Sequence, residues 1–137
     1  MVKITAEALQ AMIAHAQAEY PNEACGYLAG RDGLVVQAVR LRNADASPTS
    51  YTMDPLEQLK VQKALRGEGL EQAGIYHSHV ATEAYPSRRD IANALAIQEF
   101  CRVPYWLVTL KDQHPRVRAF TLLDGHVQEE EIVEVAA

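Results

Sequence analysis

Cysteine is scarce in this chain of 137 residues: only Cys25 and Cys101 occur, far apart and outside any C-x-x-C pattern. A disulfide framework is therefore not expected. Clustered positive charge is also missing. Lys and Arg total 13 against 18 Asp and Glu, for a formal net charge of -5, and no basic run is present to follow a phosphate backbone. Nucleic acid is not an expected partner. Long apolar runs are absent as well, since none approaches the roughly 20 residues that span a bilayer. The first residues lack the basic and apolar regions of a signal peptide. The expectation is a cytoplasmic chain with no membrane partner. There is no internal repeat, no low-complexity tract and no linker rich in Pro, Gly or Ser; the longest polar interruption, Asn43 to Ser50, reads as a surface loop. What is present is 48% hydrophobic and 23% charged residues, the composition of one ordinary domain expected to occupy residues 1–137.

Helical and extended patterns alternate along the chain. Val2 to Ile4 suits a short strand, and Thr5 can cap a helix on which Leu9, Met12, Ile13 and Ala16 recur at helical spacing. Tyr20-Pro21 stops it. Cys25 to Ala29 and Leu34 to Leu41 are apolar runs joined by Gly30-Arg31-Asp32-Gly33, which predicts a hairpin just after Glu23. Asp54-Pro55 with Glu57 opens a second helix that should reach about Leu65 before Gly67 and Gly69 end it. Ile75 to His79 then reads as a strand, Val80 to Pro86 as a loop, and Ser87 to Phe100 as a helix with Ile91, Leu95 and Ile97 turned inward. Strands over Tyr105 to Leu110 and Val117 to Leu123 follow, and Asp124-Gly125 turns into a last strand around His126 to Val135. The pattern predicts an α/β fold with a mixed, largely antiparallel sheet flanked by helices.

The strand, loop and helix from Ile75 onward carry the chemistry. In His77-Ser78-His79 the two imidazoles lie two residues apart on a strand, so they point to one face and can converge on one ion. Asp90 lies eleven residues beyond His79, in the first turn of the next helix, from where a loop can return its carboxylate to the strand end. Two imidazoles and one carboxylate suit Zn2+, and three protein ligands leave the open position that marks a catalytic site. Zinc brings water within reach of deprotonation near neutral pH, and a base must still collect the proton. Glu23, at a loop end before a core strand, is the candidate general base. Ser87 is the remaining polar group nearby, and its hydroxyl could donate to the oxyanion formed when water attacks a carbonyl. The set describes metal-assisted amide hydrolysis.

Glu23, then His77-Ser78-His79, seven residues, Ser87, two residues and Asp90 together resemble the signature of the JAMM, or MPN-plus, zinc metalloproteases. The flanking Glu23-Ala24-Cys25-Gly26-Tyr27-Leu28-Ala29-Gly30 is similar to that family's glutamate-bearing strand, and Tyr51-Thr52-Met53-Asp54-Pro55 to a segment before its second helix. The resemblance covers roughly residues 2 to 125. Ala81-Thr82-Glu83-Ala84-Tyr85-Pro86-Ser87-Arg88 and the compact length are similar to bacterial members that trim ubiquitin-like sulfur carrier proteins. What this implies is a cytidine-deaminase-like MPN fold, one zinc per chain, and a partner with a flexible Gly-Gly tail that loses a C-terminal cysteine or short extension. The family also contains isopeptidases acting on ubiquitin-like conjugates and non-catalytic scaffold modules, and the sequence is compatible with a homodimer. Val80 departs from the family, whose members often carry proline or threonine there, which bears on substrate preference rather than on the metal.

Each of these residues has an ordinary reading of its own. A lone His-Ser-His is more often packed or solvated than metal-bound, Ser87 with Asp90 is a good capping box, and a single loop acid such as Glu23 is usually solvated. It is the order and spacing of all five that separate the two readings. Cys25 with a histidine could form a thiol-protease pair, but it begins an apolar run where a thiol is inert. Cys101, Tyr105 and Trp106 read as core. His15, His114 and His126 have no partner at ligand spacing, and Tyr85, next to the active loop, could contact a substrate tail. The His-x-Glu and Pro-Cys-x-x-Cys that zinc deaminases require do not occur, so deamination is set aside.

Overall fold

The computed structural model describes residues 1–136. β1 (Val2–Thr5) leads directly into α1 (Ala6–Glu19), and the Thr5 side chain accepts from the Ala8 N–H, as an N-cap should. β2 (Cys25–Arg31) and β3 (Leu34–Leu41) form the expected hairpin, with Asp32 and Gly33 both at positive φ. Asp-Gly suits such a two-residue turn because its twist matches that of the flanking strands. α2 (Pro55–Gly67) starts on the Asp54 cap with proline in its first turn. It is followed by β4 (Glu71–His79), α3 (Arg88–Ile97), β5 (Tyr105–Thr109), β6 (Arg116–Leu123), β7 (His126–Glu130) and β8 (Ile132–Val135).

The eight strands form one sheet in the order β7-β6-β5-β4-β2-β3-β1-β8. Four neighbouring pairs are antiparallel and three parallel, so the sheet is mixed and largely antiparallel, as the sequence pattern predicts. Only Glu131 separates β7 from β8, yet the two lie at opposite ends of this order. The sheet therefore curls until its edges meet there, and the Val2 N–H donates to the Glu131 carbonyl at 2.8 Å. The single last strand expected over residues 126–135 is two strands, because each half pairs with a different edge.

Strand alternation sorts the core onto two faces. On one, α1 with its Met12 packs over Ile4, Leu28, Tyr76, Trp106 and Val108; on the other lie Cys25, Tyr27, Ile75, Tyr105, Leu107 and Phe120, with Ala94 of α3. His77 and His79 share the parity of Ile75 and so project on the second face. β4 and β5 are parallel and joined through α3, which sets the N-terminus of α3 at the C-terminal end of β4. Ligand sites of α/β units form at that end of a strand.

α3 corrects two expectations. It ends at Ile97 rather than Phe100, and its buried residues are Asp90 and Ala94. Leu95 and Ile97, expected inside, are 49% and 39% exposed. Positions 90 and 94 fix the buried stripe and Leu95 falls well to one side of it, whereas Ile97 continues the stripe but is the last residue of the helix. Cys101, expected in the core, is only half-buried at the margin of the second cluster.

Candidate active site

His77, His79 and Asp90 come together at the end of β4 and the start of α3, all buried. The two Nε2 atoms are 3.2 Å apart. Asp90 Oδ1 lies 3.2 Å from His77 Nε2, and Oδ2 lies 3.3 Å from His79 Nε2. A tetrahedral zinc about 2.0–2.1 Å from each ligand needs donors spaced by about 3.3 Å, so the triangle has the dimensions of such a site. Hydrogen bonding alone serves it poorly. His79 Nδ1 faces the Glu83 carbonyl at 2.7 Å, and a carbonyl only accepts, so that nitrogen carries the ring's proton. In the neutral ring, Nε2 is then a bare lone pair aimed at a carboxylate and a second imidazole.

Such a cluster draws in a cation. Burial opposes charge on His79, but Asp90 and the Glu83 carbonyl outweigh it and raise its pKa; on His77, burial wins and the pKa falls. Burial likewise opposes ionisation of Asp90, yet the two histidines and the Ser87 N–H hold its carboxyl well below the usual carboxylate range. A proton on His79 is thus what the set attracts when no metal is present, and the donors fit a divalent ion that displaces it. The carbonyl behind His79 also fixes that ring's tautomer, as outer partners of metal-binding histidines commonly do.

Ser87 is the N-cap of α3, and the capping box is complete: Asp90 N–H donates to Ser87 Oγ at 3.1 Å, and Ser87 N–H donates to Asp90 Oδ2 at 2.8 Å. The box thereby aims the Asp90 carboxylate at the histidines. It uses a lone pair of the Ser87 hydroxyl and leaves its proton free. Glu23 lines one cavity with Ser87, His79, Asp90 and Arg89, a space of ≈ 170 Å³. Glu23 is only 5% exposed, and burial pushes its carboxyl up to about 7 against the opposing fields of His79 and Arg89. An acid with that basicity is matched to proton transfer at neutral pH.

Backbone clamps hold Glu23 in place. Its N–H donates to the Ser47 carbonyl at 2.9 Å, and Asn43 Nδ2 donates to the carbonyls of Glu23 at 3.0 Å and Ser50 at 2.9 Å. Next to it, Ala24 N–H donates to Ser78 Oγ at 2.8 Å, and Ser78 N–H to the Ala24 carbonyl at 3.0 Å, which ties Glu23 to the strand bearing the histidines. Tyr51 stacks on His77 with ring centroids 4.5 Å apart. None of Asn43, Ser78 or Tyr51 stood out as a site residue in the sequence. The signals were polarity in the 43–50 loop, a serine between two histidines, and for Tyr51 its place at the head of Tyr51-Thr52-Met53-Asp54-Pro55, none of which named a site role.

Burial pushes the Cys25 thiol up to about 12, so it holds no thiolate and the thiol-protease reading fails. His15 is on the opposite face, with Nδ1 2.7 Å from the Tyr76 hydroxyl. Tyr85 is half-exposed on the loop after β4, its ring against Phe120 and Arg118. Tyr105 and Trp106 are buried, as their strand pattern predicts.

With this geometry in view, a family model described as Prok-JAB, prokaryotic homologs of the JAB domain, matches residues 5–123. The chain belongs to this family. It is 42% identical over 132 residues to the CysO-cysteine peptidase of Mycobacterium tuberculosis, covering 94% of this chain and 88% of that one. It is 43% identical over 113 residues to a probable TtuB-protein conjugate cleaving protease of Thermus thermophilus, covering 82% and 70%. The solution structure of a protein from Desulfitobacterium hafniense superposes with a TM-score of 0.88 at 38% identity, covering 100% of this chain and 94% of that one. A JAB1/MPN domain protein from Archaeoglobus fulgidus superposes at 0.62 and 19% identity, covering 97% and 100%, a likeness of fold. The chain has the JAB1/MPN fold that its motif implies.

Proposed function

We propose that this JAB-family chain is a zinc-dependent peptidase that hydrolyses an amide bond at the C-terminal tail of a ubiquitin-like sulfur carrier protein, releasing cysteine or a short extension. The observation that carries the reading is the triangle of His77, His79 and Asp90, two of whose members, His79 and Asp90, line one cavity with Glu23 and Ser87. Its support from relatives is the name of the mycobacterial protein, a CysO-cysteine peptidase, over most of both chains. His77, His79 and Asp90 would hold the ion. Zinc, when bound, would supply Lewis-acid activation of a water and of the scissile carbonyl.

The chain's own residues do the rest. Glu23, basic at neutral pH because it is buried, takes the proton of the attacking water and delivers it to the leaving nitrogen. The Ser87 hydroxyl donates to the oxygen on which charge develops, held in place by the capping box that also aims Asp90. The narrow cavity suits an extended tail of glycines, whose missing side chains let the backbone approach closely. We assign the catalytic unit to the whole of residues 1–137, acting in the cytoplasm, with homodimerisation open to sedimentation analysis.

Purified protein is expected to carry close to one zinc per chain, and His77→Ala to lose it. Glu23→Gln is expected to keep the metal and lose about 10² to 10⁴ in turnover, the usual worth of a positioned base. Metal analysis and mass spectrometry of a carrier protein bearing a C-terminal extension check both. Full turnover by a metal-free sample would reject the reading.

A further inference from the structure

Arg89 is a charged residue at the site that makes no ion pair among the described residues. It lies in the first turn of α3 after the Ser87 cap, its side chain is exposed, and it lines the cavity that holds Glu23, Ser87, His79 and Asp90. A cation in the first turn also opposes the helix dipole, at a cost of roughly 0.3–1 kcal/mol. A residue that breaks a local rule without structural return is what a functional site produces. Its neighbour Arg88 breaks the same rule but does not line the cavity.

Among the residues lining this cavity, Glu23 and Asp90 are acids and Arg89 is the one Lys or Arg. A guanidinium there offers a planar fork of donors matched to a carboxylate. The chemistry of the cleaved bond says which carboxylate that is. When the group released is a single amino acid, its carboxyl carbon is two bonds, about 2.5 Å, from the scissile nitrogen. Whatever reads that carboxylate must therefore line the cavity of the base, as Arg89 does. A longer extension would put a neutral amide at the same point, and an isopeptide would put the methylenes of a lysine side chain there.

We propose that Arg89 binds the free α-carboxylate of the residue being released, so that the site selects a single C-terminal amino acid over a longer extension or an isopeptide. This selectivity rests on the peptidase reading, but the binding of the carboxylate can be tested apart from it. The probes are two synthetic peptides ending in Gly-Gly-Ala, one with a free C-terminal carboxyl and one as the amide. Alanine replaces cysteine so that no thiol can reach the metal site. Affinities are measured by calorimetry on the Glu23→Gln protein, where turnover does not interfere. The free acid is expected to bind about 10- to 100-fold more tightly than the amide, the contribution of one or two charge-assisted hydrogen bonds. Adding Arg89→Gln should erase the preference, Arg89→Lys should restore part of it, and Arg88→Gln should leave it intact.

Equal affinity for acid and amide, a preference that survives Arg89→Gln, or no binding of the acid at millimolar concentration each overturns the proposal. Peptides ending in Gly-Gly-Cys, offered to the wild-type protein, test hydrolysis separately. An intact preference for the acid with neither of these cleaved would count against the peptidase reading and leave the carboxylate site standing.

Discussion

A serine with two jobs is the clearest case at the scale of single residues. Ser87 caps α3 and offers its hydroxyl proton to the cavity, so removing the hydroxyl should affect stability and turnover differently. Ser87→Ala is expected to cost about 1 kcal/mol of stability, the ordinary worth of an N-cap. Turnover should fall by about 10² or more, as for other lost oxyanion donors. Thermal denaturation beside steady-state kinetics separates the effects; a fall in rate no larger than the loss of folded protein would leave Ser87 only its cap. Sequence spacing was enough to single out Glu23, His77, His79, Ser87 and Asp90 as a group, because motif residues are few and fixed in order. Arg89, Asn43 and Tyr51 were not legible in that way. An arginine in a first turn, an asparagine in a loop and a lone tyrosine acquire meaning only from what they face.

Among the elements, β2 and β4 set the precision of the site, and one glycine lets them do so. A Cβ on Gly26 would lie 2.3 Å from the Val39 carbonyl oxygen and 2.5 Å from Cε1 of Tyr76, the residue before His77. Neither backbone nor a fully buried ring yields easily, so Gly26→Ala is expected to cost about 1–3 kcal/mol. Because Tyr76 would have to move, metal affinity should weaken as well. Chemical denaturation and zinc titration of the variant check the two effects, and wild-type values in both would refute the packing argument. The hairpin turn, the three helix N-caps and the strands β4 and β5 follow local rules, so sequence alone predicts them. The inner face of α3 does not: apolar spacing pointed to Leu95, whereas the burial of a charged residue, Asp90, decided the rotation.

For the whole molecule, stability should respond to metal and to acid in separable ways. A ligand bound only by the folded state stabilises it, on the order of 3 kcal/mol at a hundredfold excess over Kd. A chelator should therefore lower the midpoint of thermal unfolding, and zinc should restore it. Zinc affinity should fall as pH drops through about 6.5 and below, since His79, whose pKa is raised from that value, must give up its proton to bind; metal retention unchanged at pH 5 would contradict this. His15 acts independently on the other face. Burial first, and Arg40 second, lower its pKa from 6.5 to about 4, so the folded state resists the proton that the unfolded chain accepts. No stability is lost above about 6.5; as pH falls from there to about 4 the loss grows, reaching up to about 3 kcal/mol. In metal-free protein, His15→Gln should flatten that part of the profile, measured as urea midpoints against pH, and an unchanged slope would exclude this role for His15.

The amino-acid sequence by itself determined the elements and the identity of the chemical groups, because capping, turn chemistry, strand alternation and ligand spacing are all local. It could not determine that the strand after Asp124-Gly125 divides at Glu131 to join both edges of the sheet, since which edge a strand finds depends on the curl of the whole. The tertiary structure alone decided that Glu23, more than fifty residues before His77, faces the same cavity as Asp90 and Arg89. Antiparallel pairing of β2 with β4 puts them there, and it is the resulting burial that makes Glu23 basic enough to serve at neutral pH.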